Sequence, residues 1–370
     1  MNMTAQDSKA IPDAMVGQPP VIWIKQQGMT LIEIMISLLI GGVLIAGILQ
    51  IFINTKQTYR LQDAQSRIQE NGQLAMEFIG KDIRMAGFFG CASRNFGNIS
   101  IENELRDASN FIWDISNPVE GFDNVDSTFT RINSVRPGTD VLFLRGLGLG
   151  IPLISPFSNS AQMFVTPAFN ADCPASSAKT CHIGEILMVT DCAQGTIFQT
   201  TNTTDIAGGG GVNVVHFANA TFTPGNATPA IFARSYGPGS EIARLQSFAY
   251  FIRDNPAGQP SLYRSGIQVV NNNDNQFIAT ELIEGIEDLQ IRYGIDTHDP
   301  DRQVNYYVTA DQANMAEVVS IRVSFVARSL EDGVTSRPLP YFFNGAQITP
   351  TDRRLRRVFT ATYVLRNRLP

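Results

Sequence analysis

An unbroken apolar run near the N-terminus, Met29–Ile53, constrains this chain more than any other feature, and Glu33 is its only charged residue. At about 1.5 Å per residue a helix of this length reaches ~37 Å, against the ~30 Å of hydrocarbon in a bilayer. A buried core helix seldom needs so long a run, so the pattern predicts a membrane-spanning helix. A removable secretory signal is disfavoured, because Gln50, Ile51 and Phe52 stand where small residues would mark a cleavage site after the apolar core.

The carboxylate of Glu33 lies inside this segment, where a charge is costly and therefore indicates a function. Gly28 precedes the run, and cleavage after it would place a new positive amine on Met29, about one helical turn from Glu33. That amine, on this chain or on a neighbouring one, is a natural partner for the carboxylate. In the other interpretation, Glu33 reaches the lipid headgroups from its shallow position. The residues alone leave these two interpretations open.

The stretch GMTLIE (28–33), followed by the apolar helix, resembles the class III signal of type IV pilins and type II secretion pseudopilins. The resemblance implies that a prepilin peptidase cuts between Gly28 and Met29 and methylates the amine of Met29. It also implies that Glu33 pairs with the amine of an adjacent subunit during assembly. Two positions depart from the usual pattern: Met29 stands where phenylalanine is common, and Gln50 stands where major pilins commonly carry a helix-kinking proline.

Apolar residues continue beyond the run, mostly at three- to four-residue steps from Leu61 to Ala86, with polar residues between them. This spacing predicts an amphipathic helix that continues the membrane segment to about Met85, with Gly87 as its stop. A helix that starts in the membrane and ends on a folded domain is also how a pilin stalk is built. We therefore expect a leader at 1–28, a membrane half of the helix at 29–53, an amphipathic half at 54–86 and a head at 87–370.

The head has the sequence pattern of a mainly antiparallel sheet. Short apolar runs or apolar–polar alternation predict strands at 139–144, 186–189, 212–217, 248–252, 261–264, 289–295 and 319–325. The rest of the segment from Thr201 to Pro238 is rich in Thr, Asn, Gly and Pro and predicts long loops. The fold class is then α+β, with a long helix, membrane-spanning and then amphipathic, packed on a β-rich head.

Three later stretches narrow the resemblance: GTDVLFLRG (138–146), ELIEGIEDLQIRYGID (281–296) and the ending RRVFTATYVLRNRLP (356–370). They look like the large minor pilins of the PilW family, with some likeness to the J-type pseudopilins of type II secretion systems. The resemblance implies a pilin-like head and a minor pilin that promotes assembly of a type IV pilus. A J-type pseudopilin is the alternative.

Four cysteines, Cys91, Cys173, Cys181 and Cys192, follow the membrane segment and fit an oxidising compartment in which disulfides persist. The ten residues between Cys181 and Cys192 contain the strand predicted at 186–189, and in extended form they would hold the two sulfurs ~30 Å apart, far beyond the reach of a disulfide. Cys173 and Cys181 instead flank a polar loop that can close easily. We therefore expect the pairs Cys173–Cys181 and Cys91–Cys192.

Enzyme motifs are absent from the sequence. It has three histidines, His182, His216 and His298, and contains no H-E-x-x-H, G-x-S-x-G or Walker pattern. The glycines of Gly146–Gly150 lack the spacing of a nucleotide loop and predict a turn. We expect no catalytic residue and no cofactor, and an enzyme anchored by the helix is the least favoured alternative.

Two clusters could offer metal ligands. Cys173, Cys181, His182 and Cys192 are zinc-type ligands, but their spacing and the oxidising compartment favour disulfides. Asp296, Asp299 and Asp301 could supply oxygen to calcium, although a solvated turn is the favoured interpretation. We therefore expect no metal site.

Arginines crowd the C-terminus: Arg353, Arg354, Arg356, Arg357, Arg366 and Arg368. On a strand, apolar side chains from Leu355 to Leu365 fall on one face and Arg354, Arg356 and Arg366 on the other, which predicts a solvated face beside acidic neighbours. Contact with DNA or with an acidic partner pilin is the alternative. The net charge of −6 and pI of about 5.2 argue against general nucleic-acid binding.

The resemblance also implies partners and a location. The partners are prepilin peptidase, inner-membrane lipid, the pilus assembly platform, other minor pilins and the major pilin. The location is a single pass through the inner membrane with the head in the periplasm, followed by the extracellular pilus. The large head favours a low-copy subunit at the pilus tip, because heads of this size would collide if they repeated along the shaft.

Overall fold

The computed structural model describes residues 28–95, 99–156, 161–174, 181–227, 232–237, 239–271, 273–297 and 303–368. Helix α1 runs over Leu31–Met85. The strands are β1 (Ser100–Asn103), β2 (Val119–Phe122), β3 (Val141–Leu147), β4 (Ile151–Pro152), β5 (Gln162–Val165), β6 (Ile186–Thr190), β7 (Gln194–Gln199), β8 (Asn202–Asp205), β9 (Val212–Val215), β10 (Glu241–Asp254), β11 (Pro260–Val270), β12 (Asp274–Glu284), β13 (Ile286–Ile295), β14 (Tyr306–Val308), β15 (Val318–Arg328), β16 (Tyr341–Phe343), β17 (Ala346–Ile348) and β18 (Arg356–Val364). Short 3₁₀ helices lie at Ala92–Asn95, Phe111–Trp113, Pro167–Asn170, Ala207–Gly209, Met315–Glu317 and Arg366–Arg368.

Contacts divide the chain into two compact units, Met1–Gln57 and Thr58–Pro370. In the described part of the first unit, Met29 and the large apolar side chains of α1 as far as Ile53 are exposed. By length and composition, the helix is long and apolar enough to cross a membrane. The predicted continuation of one helix to Met85 is confirmed. The proposed leader, apart from Gly28, lies outside the described residues.

Sheets dominate the second unit. The largest has nine strands, in the order β1-β7-β6-β10-β11-β12, with β3 and β4 also pairing with β10 and β2 pairing with β3. A four-stranded sheet has the order β14-β13-β15-β18, β5-β9-β8 form a small sheet, and β16-β17 form a hairpin. Among these named strand pairs β1–β7 is parallel and the rest are antiparallel. The α+β class is confirmed.

The main hydrophobic core joins the amphipathic half of α1 to the sheets. Buried positions on the helix recur at one-sided spacing: Ala64, Ile68, Gly72, Ala75, Ile79, Gly80 and Ile83. Of these, Ile68, Ala75, Ile79 and Ile83 share one cluster with inward side chains of β13, β15 and β18 and with residues of β3, β10, β11 and β12. The second half of the helix is therefore a structural part of the head.

Two glycines set the register of α1 on β18. A Cβ atom on Gly72 would lie 2.2 Å from the ring of Phe359, and one on Gly80 would lie 2.4 Å from the ring of Tyr363. The glycines are separated by about 12 Å along the helix, and the aromatic residues by about 13 Å along the strand. The two spacings match, so each ring fits over a glycine.

The helix end is closed by both neighbouring and distant residues. Gly87 has φ +71° and donates its N–H to the carbonyl of Arg145 at 2.8 Å. The side-chain amide of Asn367 donates to the carbonyl of Ala86 at 3.1 Å. Because the last carbonyls of a helix lack intrahelical donors, the bond from Asn367 satisfies a carbonyl that would otherwise be left open, while the bond from Gly87 ties the helix end to β3.

The segment between β4 and β10 builds a separate core. Side chains of β5, β6, β7 and β9 pack there with residues such as Phe169, Phe232 and Tyr236. The disulfide Cys91–Cys192 links the residues after α1 to the end of β6, and Cys173–Cys181 closes a short loop before it. Both pairs are the ones predicted from the spacing.

The predicted strands correspond to β3, β6, β9, β10, β11, β13 and β15. Two local predictions are wrong. β8 lies in the part predicted as loop, and Gly146 and Leu147, predicted in a turn, complete β3. Gly146 stands in a strand because a Cβ atom there would approach the carbonyl oxygens of Met85 and Phe88 to 3.1 and 3.2 Å, so a close backbone approach requires it.

Replacing Gly80 by alanine should destabilise the head, although alanine is the better helix former. The new methyl group would overlap Tyr363, whose hydroxyl is held by the carbonyl of Met76 at 2.7 Å. We expect a loss of about 1–3 kcal/mol in the free energy of unfolding. Urea unfolding of the full chain in detergent, followed by near-ultraviolet circular dichroism, measures it.

Gly42→Ala is the matched control, because nothing lies within 4 Å of a Cβ atom at Gly42. Equal unfolding midpoints for the Gly80 and Gly42 variants would show that the glycine contact does not fix the register.

Candidate assembly site

The residues of the proposed cleavage site are accessible. Gly28 and Met29 are exposed and precede the first helical residue, Leu31. A Cβ atom on Gly28 would meet nothing within 4 Å, so any requirement for glycine there lies outside this chain's own packing. Cleavage between Gly28 and Met29, and methylation of Met29, stay predictions.

Thr30 and Glu33 form a capping box at the start of α1. Glu33 Oε2 accepts hydrogen bonds from the N–H of Thr30 at 2.8 Å and from its hydroxyl at 2.9 Å. In return, Thr30 Oγ1 accepts from the N–H of Glu33 at 3.3 Å. Reciprocal bonds of this kind satisfy two of the four N–H groups that a helix start leaves open.

The capping box adds a local function for Glu33 that neither sequence interpretation included. The pattern T-x-x-E before an apolar run is a helix-start signal that could have predicted it. Both bonds use Oε2, and no hydrogen bond to Oε1 occurs within the described residues. A carboxylate in this arrangement can cap its own helix and still offer an oxygen to a cation. Pairing of Glu33 with an amine stays a prediction.

Asp140, in the stretch GTDVLFLRG, cross-links the two large sheets. It stands just before β3, and its carboxylate accepts from the N–H of Asn124 at 2.9 Å and from the N–H of Ile291 in β13 at 2.7 Å. Burial raises the pKa of Asp140 from 3.8 to about 7, against the lowering effect of these two donors. Asp123 and Asp288 raise the pKa further by charge repulsion.

Arg145, near the other end of the same stretch, is almost fully buried. Its guanidinium pairs with Glu120 of β2 at 2.8 Å and donates to the carbonyls of Phe111 and Asn117 at 3.0 and 2.7 Å. A buried charge needs such partners to be tolerated. The charged residues of this stretch therefore hold β2, β3 and β13 together.

A second polar link joins α1 to β10 and β11. Tyr250 donates its hydroxyl to the Asp82 carboxylate at 2.6 Å, and Arg264 pairs with that carboxylate at 2.8 Å. Burial, followed by the charge of Asp82, raises the pKa of Tyr250 well above its usual range. Sequence analysis missed this group, because its three residues are far apart in the chain.

The C-terminal arginines are engaged with acids to different degrees. Arg356 in β18 is 6% exposed and pairs with Glu287 at 2.6 Å and with Asp352 at 2.5 Å. Burial opposes ionisation of Glu287, but hydrogen bonds and charge from Arg356 hold its pKa below the usual range. The acidic neighbours were predicted. The predicted solvated position of Arg356 is wrong, because its ion pairs with these two acids hold the side chain in a buried position. Arg357, by contrast, is exposed.

The other candidate site residues have structural positions. The sulfurs of Cys173, Cys181 and Cys192 are in disulfides, so they are not the thiolates that a zinc site uses. His182 is buried beside Glu185 and Arg244, and His216 stacks on Phe232. For calcium, Asp296 is buried, whereas Asp299 and Asp301, like His298, lie outside the described residues.

Two family models match the chain. One, described as type IV pilus-assembly protein W, matches residues 249–367, from β10 to the residues after β18. The other, the prokaryotic N-terminal methylation motif, matches residues 23–49, which include GMTLIE and the first part of α1. No curated protein and no solved structure gives a significant match. The matches point to a structural pilin rather than to an enzyme.

Asp140 should make the head less stable as the pH rises from about 4 to about 7. Its pKa is higher in the folded chain than in the unfolded chain, so the folded state binds the extra proton. The stabilisation that this proton gives is complete when the pH is below the pKa of Asp140 in the unfolded chain, and it is lost as the pH rises through the pKa in the folded chain. In Asp140→Asn the pH-dependent contribution of this residue to the free energy of unfolding disappears, and one backbone N–H loses its acceptor.

We therefore expect Asp140→Asn to be less stable than the wild type at about pH 5, with a deficit that narrows towards about pH 8. Urea unfolding of both proteins across this range measures the deficit. A deficit that stays constant with pH would show that Asp140 does not titrate in this window.

Proposed function

Since the chain is a type IV pilus-related pilin of the PilW family, we propose that it is a low-copy minor pilin that enters the pilus at its tip and promotes the initiation of assembly. The observation that carries the proposal is the combination of a pilin-type N-terminus with a head enlarged by a second core. In the proposed maturation, prepilin peptidase removes residues 1–28 and methylates Met29. The mature chain is then anchored in the inner membrane, with its head in the periplasm, until the assembly platform moves it into the pilus.

The N-terminal segment supports incorporation into a filament. Its apolar side chains are exposed along the helix between Met29 and Ile53, so they need lipid or other helices as neighbours. Lipid satisfies them before assembly, and the helices of other minor pilins and of the major pilin would satisfy them within a pilus. In that setting, Glu33 would pair with the amine of an adjacent subunit.

The second core of the head supports a position at an end of the filament. The residues from β4 to β10 form their own core and a separate small sheet beside the family-matched strands. In a helical filament the stalks pack at close axial spacing, and the heads must cover the surface without overlap. A head enlarged in this way would collide with its neighbours along the shaft, whereas at the tip one side is free. A J-type pseudopilin has no specific support among the described features.

Two substitutions separate the charge of Glu33 from its capping function. Glu33→Gln keeps an acceptor for the N–H of Thr30 but removes the charge, while Thr30→Ala breaks the capping box but keeps the carboxylate. If the carboxylate pairs with an amine, Glu33→Gln should lower recovery in sheared pili by about tenfold, whereas Thr30→Ala should lower it much less. The amount in sheared pili relative to the membrane measures incorporation.

Intact mass supplies the control for processing. Both variants and the wild type should begin at Met29 with an added methyl group, so a loss from pili cannot then be attributed to failed cleavage. Normal recovery of Glu33→Gln together with loss of Thr30→Ala would assign Glu33 a capping function alone. A wild-type chain that still begins at Met1 would contradict the pilin maturation itself.

Deletion of this protein should reduce the number of pili while the cellular level of the major pilin stays near normal. The reason is that a tip subunit limits how many pili are initiated and does not limit the supply of the major pilin. Immunogold labelling of a tagged, functional chain should mark one end of the pili. Even labelling along the shafts would contradict the tip position without contradicting membership of the pilus.

A further inference from the structure

The four-stranded sheet packs against α1 with one face, and part of its other face is open to solvent. On β13, β15 and β18 the side chains that join the core with α1 alternate with a second set that points away from it. Part of this second set forms a surface that we name the cationic face: Arg292, Arg322, Ser324, Thr360, Thr362 and Val364. Its three residues on β18 are exposed.

Two arginines lie directly opposite each other on the cationic face. Arg292 of β13 pairs with Arg322 of β15 in the register of the sheet, and like charges in such a position destabilise a sheet. Their hydrogen bonds go to neutral groups, because Arg292 donates to Asn344 Oδ1 at 2.9 Å and Arg322 donates through Nε to Thr362 Oγ1 at 3.3 Å. Among the residues that the structure describes, neither guanidinium has a carboxylate at ion-pair distance. The two cations therefore share this face without an anion between them.

Both arginines can be reached from solvent. Each is partly exposed, and their bonds to Asn344 and Thr362 lie at the exposed surface. The guanidinium of Arg322 lies over the ring of Tyr307, 3.9 Å from its centre, so its position is fixed before a partner arrives. Within the described part of the chain, its Nη1 and Nη2 make no hydrogen bond. Two such donors match the two oxygens of a carboxylate.

The surroundings of the arginine pair favour a protein partner over a nucleic acid. Val364, next to Thr362 on the same face, is 45% exposed, and Phe342, on the hairpin that carries Asn344, is 70% exposed. Arginine and aromatic side chains are enriched where proteins bind one another. A long polyanion would be repelled by the net charge of −6, whereas a few carboxylates on a protein need only the local pair of cations.

We propose that the cationic face is the docking surface for an acidic patch on another pilin subunit. One or two Asp or Glu carboxylates of that subunit neutralise Arg292 and Arg322, and its polar groups bond to the hydroxyls of Thr360 and Thr362. The apolar stalks supply contacts that any pilin can make, so this charged surface selects which subunit is the neighbour. The proposal rests on the proposed function, because it names the chemistry of a neighbour within the pilus.

The test places a photo-crosslinking residue, p-benzoylphenylalanine, at Val364 of the full chain in piliated cells. Irradiation should join the chain to another pilin, and mass spectrometry should find the adduct in a peptide that contains Asp or Glu. Adding Arg322→Glu should lower the yield of this adduct by about tenfold, because the carboxylates of the partner then meet a negative charge. The new glutamate lies opposite Arg292 as an ion pair, so the urea unfolding midpoint should stay close to that of the wild type.

Arg337→Glu is the matched control, since it makes the same change of charge at an exposed position outside the cationic face and should leave the yield within about twofold. An equal yield with and without Arg322→Glu would overturn the proposal, as would an adduct with a nucleic acid or with a protein other than a pilin, or no adduct at all. Irradiation precedes shearing of the pili, so the cationic face is tested even when the chain stays in the membrane. Absence of the wild-type chain from sheared pili would instead contradict the proposed function.

Discussion

The packing of α1 on β18 is the contact on which the rest of the head depends. Gly72 and Gly80 allow the rings of Phe359 and Tyr363 to lie directly on the helix, and Asn367 closes the helix end. Around them Ile68, Ile79 and Ile83 are almost completely buried, and each contributes about 1.5–3 kcal/mol relative to an exposed side chain. The amphipathic half of α1 and β18 therefore stabilise each other, although they are far apart in the chain.

This arrangement divides the head into a part whose core includes α1 and a part that has a separate core. The matched residues 249–367 include β11, β13, β15 and β18, which share one core with α1. The residues between β4 and β10 bury a different set of side chains and contribute few of the contacts that hold α1. A change in that second core can thus alter the shape of the head while the register of the stalk is kept.

Sequence periodicity predicted the elements whose two faces have different surroundings. β13 and β15 alternate cleanly because one face meets α1 and the other meets solvent or polar neighbours. β12 was not predicted, because its pairing with β11 changes register near Leu282. Before this shift Phe277 and Ala279 pack in one core, and after it Ile283 packs in another. The hydrogen bonds of Asp140 and the ion pair of Arg145 with Glu120 were also beyond prediction, since their partners are set by tertiary contacts. In contrast, the apolar helix and its start at Leu31 could be predicted because their signals are local, whereas cleavage after Gly28 and pairing of Glu33 with an amine stay predictions.

The local character of that site also explains how one carboxylate can serve two states of the chain. The first N–H groups of a helix that starts at a membrane surface cannot all be satisfied within the helix, and leaving them open becomes more costly as the site is removed from water. Glu33 supplies an acceptor for Thr30 through Oε2, so the helix start is capped before any partner arrives. A neighbouring amine could then bind through the other oxygen without breaking the cap. Glutamate meets both requirements at this position: glutamine could cap but lacks the charge, and aspartate has a shorter side chain with which to reach back to Thr30. The acidic residue that is costly in the apolar run is therefore consistent with the proposed function, in which the helix would be stable both alone in lipid and among other helices.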